Sequence, residues 1–565
     1  MTIAEPRPAT SGPINPATIE IIRNALTSVA DEMNATLIRS AYTPIIYEMK
    51  DCSVALLDAE HRVLGQSAGL PIFLGNLEAC TLAIEAQYGR DVWQPGDVWI
   101  MNDPYITGTH LHDMTVMEPI FTEDKTLLGF ATSRAHWLDV GSKDPGGTID
   151  SIDVFQEGLR LAPVKIVDGG EQVQTLTQAI GRNSRFFHGA VGDLGAQIAC
   201  CHTGAKRLPE IFERFGTETV LTARDEIFRQ SEALEREFIR SIPDGDYFAE
   251  GTIDSDGIGD EPISVRVKVT IDDDNMHIDL TETDDACTGP VNCGATQAIA
   301  AARVAYKLLV DPDSPPNGGS FRALSVDVRE GSLVGAVEPF PVEWYFTPLG
   351  LLIDLVVKAV SDAVPERAAA ASYGDSMVIF ISGVDPDTKA PWLHVEPTVG
   401  GWGAWNGSDG QDALINNVNG SLKDMPIEVL ETKYPLRVRH YGYRTDSAGH
   451  GQFRGGVGVS REFEMLADAT ISTWFERSHT PAWGLAGGHD ATGPDVVINP
   501  GTDREQHALK SANVSLKAGD VVRTMTGGGG GFGDPKQRDR DAVAADIKTG
   551  VISEETAREV YGLDV

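Results

Sequence analysis

Cysteine is scarce in this 565-residue chain, which contains only six. No two of them form a C-x-x-C pair, which argues against both a thiolate zinc site and a disulfide framework. Basic residues are also few: 46 Lys and Arg stand against 83 Asp and Glu, giving a formal charge of −37. Such a charge repels nucleic-acid phosphates and anionic membranes. We therefore expect mostly structural, reduced cysteines and neither nucleic acid nor a membrane among the partners.

Long hydrophobic runs are missing as well. No stretch approaches the roughly 18 uninterrupted apolar residues that a membrane-spanning helix requires. The segment Met1–Pro16 has no basic head followed by an apolar block, so it does not resemble a secretory signal. These two observations predict a soluble, cytoplasmic protein.

Recognisable nucleotide-binding and nucleophile motifs are absent or out of context. There is no G-x-x-x-x-G-K-[ST], and no G-x-G-x-x-G lies between a convincing strand and helix, so we do not expect the chain to hold ATP in a P-loop. Gly527 to Gly531 could cradle an anion, but a flexible or tightly turning loop is favoured and no catalytic role is assigned. Gly65-Gln-Ser-Ala-Gly69 matches G-x-S-x-G, yet Leu70-Pro71 follows it, which favours a turn over a serine nucleophile.

Periodicity divides the chain into helical and extended segments. Asn15-Pro16 supplies a helix cap and first turn, and apolar residues then recur every three or four positions as far as Leu37, which predicts a long amphipathic helix. A second helical pattern runs from Val220 to Ile242 and stops at a Pro-Asp-Gly turn. Strict alternation from Ile263 to Ile271 and from Met276 to Leu280 predicts a β-hairpin.

The remaining chain completes an α+β fold of several mixed layers. Helices are predicted over Ala298–Leu309 and Leu351–Val364, and glycine becomes dense after Trp392, where short strand-like runs alternate with turns. Two short helices are expected near the C-terminus. We predict three regions: an N-terminal α+β region over 1–242, a central sheet-helix region over 243–391, and a β-rich region over 392–565.

The segment from Asn102 to Asp113 contains two of the 13 histidines. His110 and Asp113 are three residues apart, so they share a face if the segment turns helically. His136 follows after an intervening strand and turn that could bring it back. Two imidazoles and a carboxylate are a common ligand set for Zn²⁺, Mn²⁺ or Fe²⁺, and they leave positions open for water and substrate.

This spacing matches no dedicated zinc motif, so a structural alternative stays open in which His110 and His136 only hydrogen-bond buried backbone. His112 lies beside the pair and is interpreted as a supporting group rather than a ligand. Asp139 could orient an imidazole or act as a base, but a solvated loop aspartate is an equal alternative.

At several of these motifs the chain resembles the hydantoinase B/oxoprolinase family over nearly its whole length. The resemblance is carried by Leu37-Ile-Arg-Ser-Ala-Tyr42, Lys50-Asp-Cys-Ser53, Asn102-Asp-Pro-Tyr105, Thr109-His-Leu-His-Asp113, Phe155-Gln-Glu-Gly-Leu-Arg160, Gly400-Gly-Trp-Gly403, Tyr434-Pro-Leu-Arg437 and Gly527 to Pro535.

The resemblance implies a divalent metal held by His110, Asp113 and His136, with Asp51 as a fourth ligand. It also implies a partner A subunit of actin-like kinase fold that binds ATP and phosphorylates the substrate, which would account for the missing P-loop. The chain departs from the family pattern at His112, where relatives often have proline. It also departs after His136, where they often have a second histidine instead of tryptophan. Both departures allow a different substrate pocket.

From these features we expect the metal-bearing B subunit of a hetero-oligomeric, ATP-dependent hydrolase of a small cyclic amide: a hydantoin, a lactam or an oxoproline-like ring. The A subunit would phosphorylate the amide oxygen, and metal-activated water would attack the ring, with Asp139 or His112 relaying protons. One alternative is an ATP-dependent carboxylase that joins bicarbonate to a ketone. Another is a non-catalytic scaffold with a structural metal.

Overall fold

A computed structural model describes residues 14–563 of the chain. The helices are α1 (Pro16–Ser40), α2 (Pro44–Tyr47), α3 (Pro71–Leu74), α4 (Leu77–Tyr88), α5 (Pro104–Thr107), α6 (Gln174–Asn183), α7 (Phe187–Phe215), α8 (Thr217–Ile239), α9 (Ala295–Val310), α10 (Phe346–Ala359), α11 (Ile427–Lys433), α12 (Arg540–Thr549) and α13 (Glu554–Glu559). The strands up to the middle of the chain are β1 (Cys52–Asp58), β2 (Val63–Gln66), β3 (Val98–Met101), β4 (Asp113–Phe121), β5 (Leu127–His136), β6 (Val164–Asp168), β7 (Glu171–Gln172), β8 (Gly245–Ile253), β9 (Ile263–Asp272), β10 (Asn275–Asp279) and β11 (Leu324–Asp327). The later strands are β12 (Val378–Val384), β13 (Pro391–Pro397), β14 (Leu436–Tyr443), β15 (Val459–Met465), β16 (Ala469–Trp474), β17 (Asp495–Ile498), β18 (Gln506–His507), β19 (Lys510–Leu516) and β20 (Val521–Met525).

The N-terminal part is a seven-stranded antiparallel sheet of order β2-β1-β5-β4-β3-β6-β7 between helices. The predicted first helix is confirmed, and Asn15 caps it by accepting the N–H of Ala17 at 2.9 Å. Helices α1 and α7 cover one face of the sheet. On the other face Leu57, Trp99 and Phe130 pack in a separate apolar cluster that includes α4. The sheet is therefore buried on both faces, which fixes the register of its strands.

The central part is a four-stranded sheet of order β11-β10-β9-β8 on which α10 packs. Buried and partly exposed residues alternate along the whole of β9, and β9 and β10 form the predicted antiparallel hairpin. Helix α10 begins at Phe346, five residues before the predicted start at Leu351. Its first twelve residues are all buried, so no polar face marks where it begins.

The C-terminal part contains two further sheets, of order β13-β12-β16-β19 and β14-β15-β20-β17-β18. The predicted boundary between residues 391 and 392 falls inside β13, and β12 pairs with both β13 and β16. One hydrophobic core also runs from Ile19 to Val522 through all three predicted regions. The α+β class is confirmed, whereas the division at residues 242 and 391 stays a prediction.

The run Gly527–Gly531 is neither flexible nor a turn, so the sequence-based interpretation of this segment is wrong. It is an extended segment surrounded by backbone: the N–H groups of Gly529 and Gly530 donate to carbonyls of Gly456 and Ala371 at 2.9 and 2.8 Å. A Cβ atom on Gly530 would lie 1.9 Å from the carbonyl oxygen of Trp483. Glycine is needed for close packing, and the bonded N–H groups are not free for an anion.

No helix within residues 14–563 has the length and apolarity that crossing a bilayer requires. The prediction that Met1–Pro16 contains no secretory signal concerns a segment whose first 13 residues lie outside the described part of the chain.

Candidate metal centre

A short helix and a glycine place His110 at the end of the N-terminal sheet. Asp103 caps α5 by accepting the N–H of Tyr105 at 3.1 Å, and Gly108 ends this helix in the left-handed conformation at φ +78°. A Cβ atom on Gly108 would lie 2.7 Å from the backbone nitrogen of Gln297, so glycine allows the loop to pass tightly against α9. The loop then delivers His110 into the interior.

Asn102 fixes the loop that carries the histidines. Its Nδ2 donates to the carbonyl oxygens of Leu111 and Leu159 at 2.6 and 2.8 Å, and its Oδ1 accepts the N–H of Leu161 at 2.6 Å. The side chain is fully buried and all its hydrogen-bonding groups are used. Asn102 thus ties the segment between His110 and His112 to a neighbouring loop.

The antiparallel register of β4 and β5 brings the other candidate ligands together. Asp113, the first residue of β4, lies directly opposite His136, the last residue of β5. On the other side of β5, the carbonyl oxygen of Asp51 accepts the N–H of His136 at 3.1 Å. Three chain segments that are distant in sequence therefore end at one edge of the sheet, as the turn-and-strand interpretation of the sequence predicts.

Three ligand atoms converge in this interior position. Nε2 of His110 lies 3.0 Å from Nδ1 of His136 and 3.1 Å from Oδ1 of Asp113, and the remaining pair is 3.3 Å apart. Two ligand atoms at about 2.1 Å from one ion are separated by about 3.0 to 3.4 Å in octahedral or tetrahedral geometry. The spacing of the three atoms therefore fits one divalent transition metal.

Hydrogen bonds to these residues orient them for this purpose. Nδ1 of His110 donates to the carbonyl oxygen of Glu343 at 2.9 Å, which leaves Nε2 as the lone-pair atom of the cluster. The hydroxyl of Tyr345 donates to Oδ2 of Asp113 at 2.9 Å, which leaves Oδ1 for the cluster. Asp51 lies outside this three-atom group but lines the same cavity, and its buried Oδ1 has no hydrogen-bond partner among the described residues.

The pKa values reflect a buried group of mixed charge. Burial opposes the charged form of His110, but the adjacent carboxylates of Asp113 and Glu343 raise its pKa to about 9. Burial lowers the pKa of His136, and burial together with the neighbouring Asp113 raises the pKa of Asp51. A divalent cation would favour the ionised carboxylates that burial disfavours, so the electrostatics also fit a metal.

Two residues of this site, Glu343 and Tyr345, were not found from the sequence. Glu343 lines the cavity, and its Oε1 lies 3.6 Å from Nδ1 of His110 and 3.5 Å from Nδ1 of His112. Both residues precede α10 by a few positions, more than 200 residues from His110. The only available signal was an acidic residue within a strongly apolar stretch, which does not specify a contact so far along the chain.

The two proposed proton-relay residues lie in different surroundings. His112 is fully buried and stacks on His136 with ring centroids 5.2 Å apart, and neither of its ring nitrogens has a hydrogen-bond partner among the described residues. Asp139 is buried in an ion pair with Arg185 at 2.6 Å and also accepts from Ser184. Asp139 does not line the cavity. Catalytic roles for both residues stay predictions.

The candidate ligands line a cavity of about 40 Å³, which has room for only a few water molecules. A larger cavity of about 440 Å³ lies between β2, α4 and α9, and none of the candidate metal ligands lines it. The small cavity is therefore the place where the chemistry of this site would occur.

Known proteins share this sequence and fold. Residues 15–535 match the hydantoinase B/oxoprolinase family. The chain is 31% identical to the B component named for a D-/L-hydantoinase of Pseudomonas sp., over 98% of this chain and 95% of that protein. The crystal structure of the ATP-dependent caprolactamase of Pseudomonas jessenii superimposes with a TM-score of 0.90 at 29% identity, covering 98% of this chain and 97% of that one. A nucleotide-free acetone carboxylase shares the fold with a TM-score of 0.87 at 20% identity, covering 97% of this chain and 80% of that one.

An α+β protein with a buried His, Asp and His cluster at the end of an antiparallel sheet thus has counterparts of known structure. The chain belongs to the hydantoinase B/oxoprolinase family, and the resemblance found in its motifs is confirmed.

Proposed function

We propose that this chain is the metal-bearing B subunit of an ATP-dependent cyclic amide hydrolase, and that it opens a ring which a separate A-type subunit has phosphorylated. The observation that carries this proposal is the convergence of His110, Asp113 and His136 within 3.3 Å of one another in a closed cavity. The relatives named as a hydantoinase component and as an ATP-dependent caprolactamase support the substrate class and the use of ATP.

The residues of the chain have distinct tasks in this proposal. His110, Asp113 and His136 hold the ion, and Asp51 supplies a further oxygen beside them. A divalent ion bound there acts as a Lewis acid on the reacting oxygen and lowers the pKa of water. The apolar walls exclude bulk water, which strengthens the electrostatic interactions of the site.

His112 is the best placed of the candidate proton carriers. It contacts both His136 and the carboxylate of Glu343, and burial together with the nearby imidazoles of His136 and His110 lowers its pKa, so it is neutral and can accept a proton. Asp139 is held by Arg185. We therefore favour His112 over Asp139 for proton transfer.

The test combines the chain with its A subunit and measures ring opening and phosphate release. We expect ring opening only with ATP and a strong loss of turnover in Asp113→Asn, while the A subunit still binds nucleotide. Oxygen-18 in the amide carbonyl of the substrate should appear in phosphate, and oxygen from water should enter the new carboxylate. Ring opening at full rate without nucleotide would contradict the proposal.

The shared fold with an acetone carboxylase supports one second candidate, an ATP-dependent ketone carboxylase. The same ligand set suits either reaction, because both develop negative charge on an oxygen. Incorporation of labelled bicarbonate into a ketone, in place of ring opening, would decide for the carboxylase.

A further inference from the structure

The wall of the small cavity beyond the candidate ligands is apolar. Its apolar members are Ile45, Leu70, Phe73, Trp344, Phe346, Val378, Phe380, Val395 and Pro397. The indole of Trp344 contacts the rings of Phe346 and Phe380, each at 5.6 Å between centroids. These aromatic rings form one continuous surface, and such a surface favours hydrocarbon.

The charged residues of the cavity are mostly of one sign. Three carboxylates line it, those of Asp51, Asp113 and Glu343, and among the described residues no lysine or arginine does. A ring whose amide carbon faces the candidate ligands has its other carbons against the apolar wall. A carboxylate on one of those carbons would be buried without a cationic partner, which is strongly unfavourable.

Two neutral polar side chains interrupt the apolar wall. Nδ2 of Asn419 donates to Oγ of Ser376 at 2.9 Å, and Asn416 donates to the same oxygen at 3.2 Å. This pairing fixes which way the Asn419 amide points. Its Oδ1 is left without a hydrogen bond to the described residues, so it is an acceptor at the cavity wall.

Resting on the function proposed above, we propose that the site selects a neutral cyclic amide with a hydrocarbon ring and discriminates against rings that carry a carboxylate. Asn419 accepts the ring N–H and is the specificity-determining residue for it. An unsubstituted lactam fits all three parts of the cavity: the ligand atoms, the acceptor and the apolar wall.

The test compares substrates that share one ring, using the complex of the chain with its A subunit and ATP. 2-Pyrrolidinone and 5-oxoproline differ only by a carboxylate, and we expect kcat/KM for 2-pyrrolidinone to be at least about 100-fold higher. 1-Methyl-2-pyrrolidinone lacks the ring N–H and should be about 10-fold poorer than 2-pyrrolidinone. Binding of the three compounds to the complex, measured by calorimetry without ATP, should follow the same order.

The Asn419→Ala variant separates recognition from structure. It should lower kcat/KM for 2-pyrrolidinone about 10-fold and leave the value for the 1-methyl analogue nearly unchanged. An equal loss for both compounds would show a merely structural role and overturn the assignment of Asn419. If the variant does not fold, the substrate comparison with the unaltered protein still decides the charge selectivity.

The outcomes distinguish this inference from the proposed function. If 5-oxoproline is opened as well as 2-pyrrolidinone, the charge selectivity is wrong, while the hydrolase function stands. If the complex opens no cyclic amide with ATP, the proposed function fails and this inference fails with it.

Discussion

The buried carboxylate of Glu157 should control both stability and the geometry of the metal centre. Its Oε1 accepts the N–H groups of Val342 and Glu343 at 2.9 and 3.0 Å and the hydroxyl of Ser151 at 2.9 Å. Its Oε2 only shares the N–H of Val342, at 3.0 Å. The carbonyl of Glu343 in turn receives the Nδ1 proton of His110. Glu157 therefore supports the chain segment that orients a candidate ligand.

The magnitude follows from these contacts. Glu157→Ala leaves two buried backbone donors unpaired, and at about 1 to 3 kcal/mol each we expect a loss of about 2 to 6 kcal/mol in the free energy of unfolding. Glu157→Gln keeps a carbonyl oxygen in the position of Oε1 and loses only the shared contact of Oε2. We expect it to cost about 1 kcal/mol. The acceptor is what matters in this reasoning, and not the charge.

Chemical denaturation of the unaltered chain and the two variants, followed by fluorescence, measures these differences. Metal content is measured on the same samples, and we expect Glu157→Ala to retain less metal than Glu157→Gln because the Glu343 segment shifts. Ser151→Ala is the matched control, which removes one donor and should cost about 1 kcal/mol. If alanine and glutamine at position 157 were equally destabilising, the reasoning from unpaired donors would be refuted.

Three further predictions concern the metal, the glycine run and pH. The purified chain should carry about one divalent transition metal, and the double change His110→Ala with His136→Ala should remove it in elemental analysis without unfolding the protein; a protein that holds no metal would exclude the site. Gly530→Ala should destabilise the fold by more than about 3 kcal/mol in thermal unfolding, because its Cβ would meet a carbonyl oxygen, and a smaller loss would show that the segment can move. Burial raises the pKa of Glu476 to about 7, so the native state holds a proton that the unfolded state has released. Stability should therefore fall by up to about 3 kcal/mol as pH rises from about 4.5 to above 7, and Glu476→Gln should flatten this slope in denaturation series; an unchanged slope would contradict the shift.

The sequence predicted most elements and most of the metal cluster because these depend on local patterns. The first helix follows from the capping residue Asn15 and apolar spacing, and the hairpin of β9 and β10 follows from strict alternation. The turn between His110 and Asp113 places both residues together within four positions. His136 required only that the next strand fold back.

The parts that escaped prediction depend on contacts between distant segments. Glu343 and Tyr345 reach the cluster from just before α10, and no periodicity connects them with His110. The glycine run was interpreted as a loop because glycine usually gives freedom to the backbone. In the fold the same residue type serves close packing, which becomes visible only when the surrounding segments are in place.

The pairing of Asp113 with His136 makes metal affinity a measure of strand alignment. Side chains on a strand alternate between its two faces, so sliding β5 by one residue along β4 would replace His136 opposite Asp113 with a neighbour on the other face. Misaligned chains could keep much of their secondary structure and still fail to bind the ion. Retention on an immobilised-chelate column during refolding would therefore separate correctly aligned molecules from misfolded ones that circular dichroism cannot tell apart.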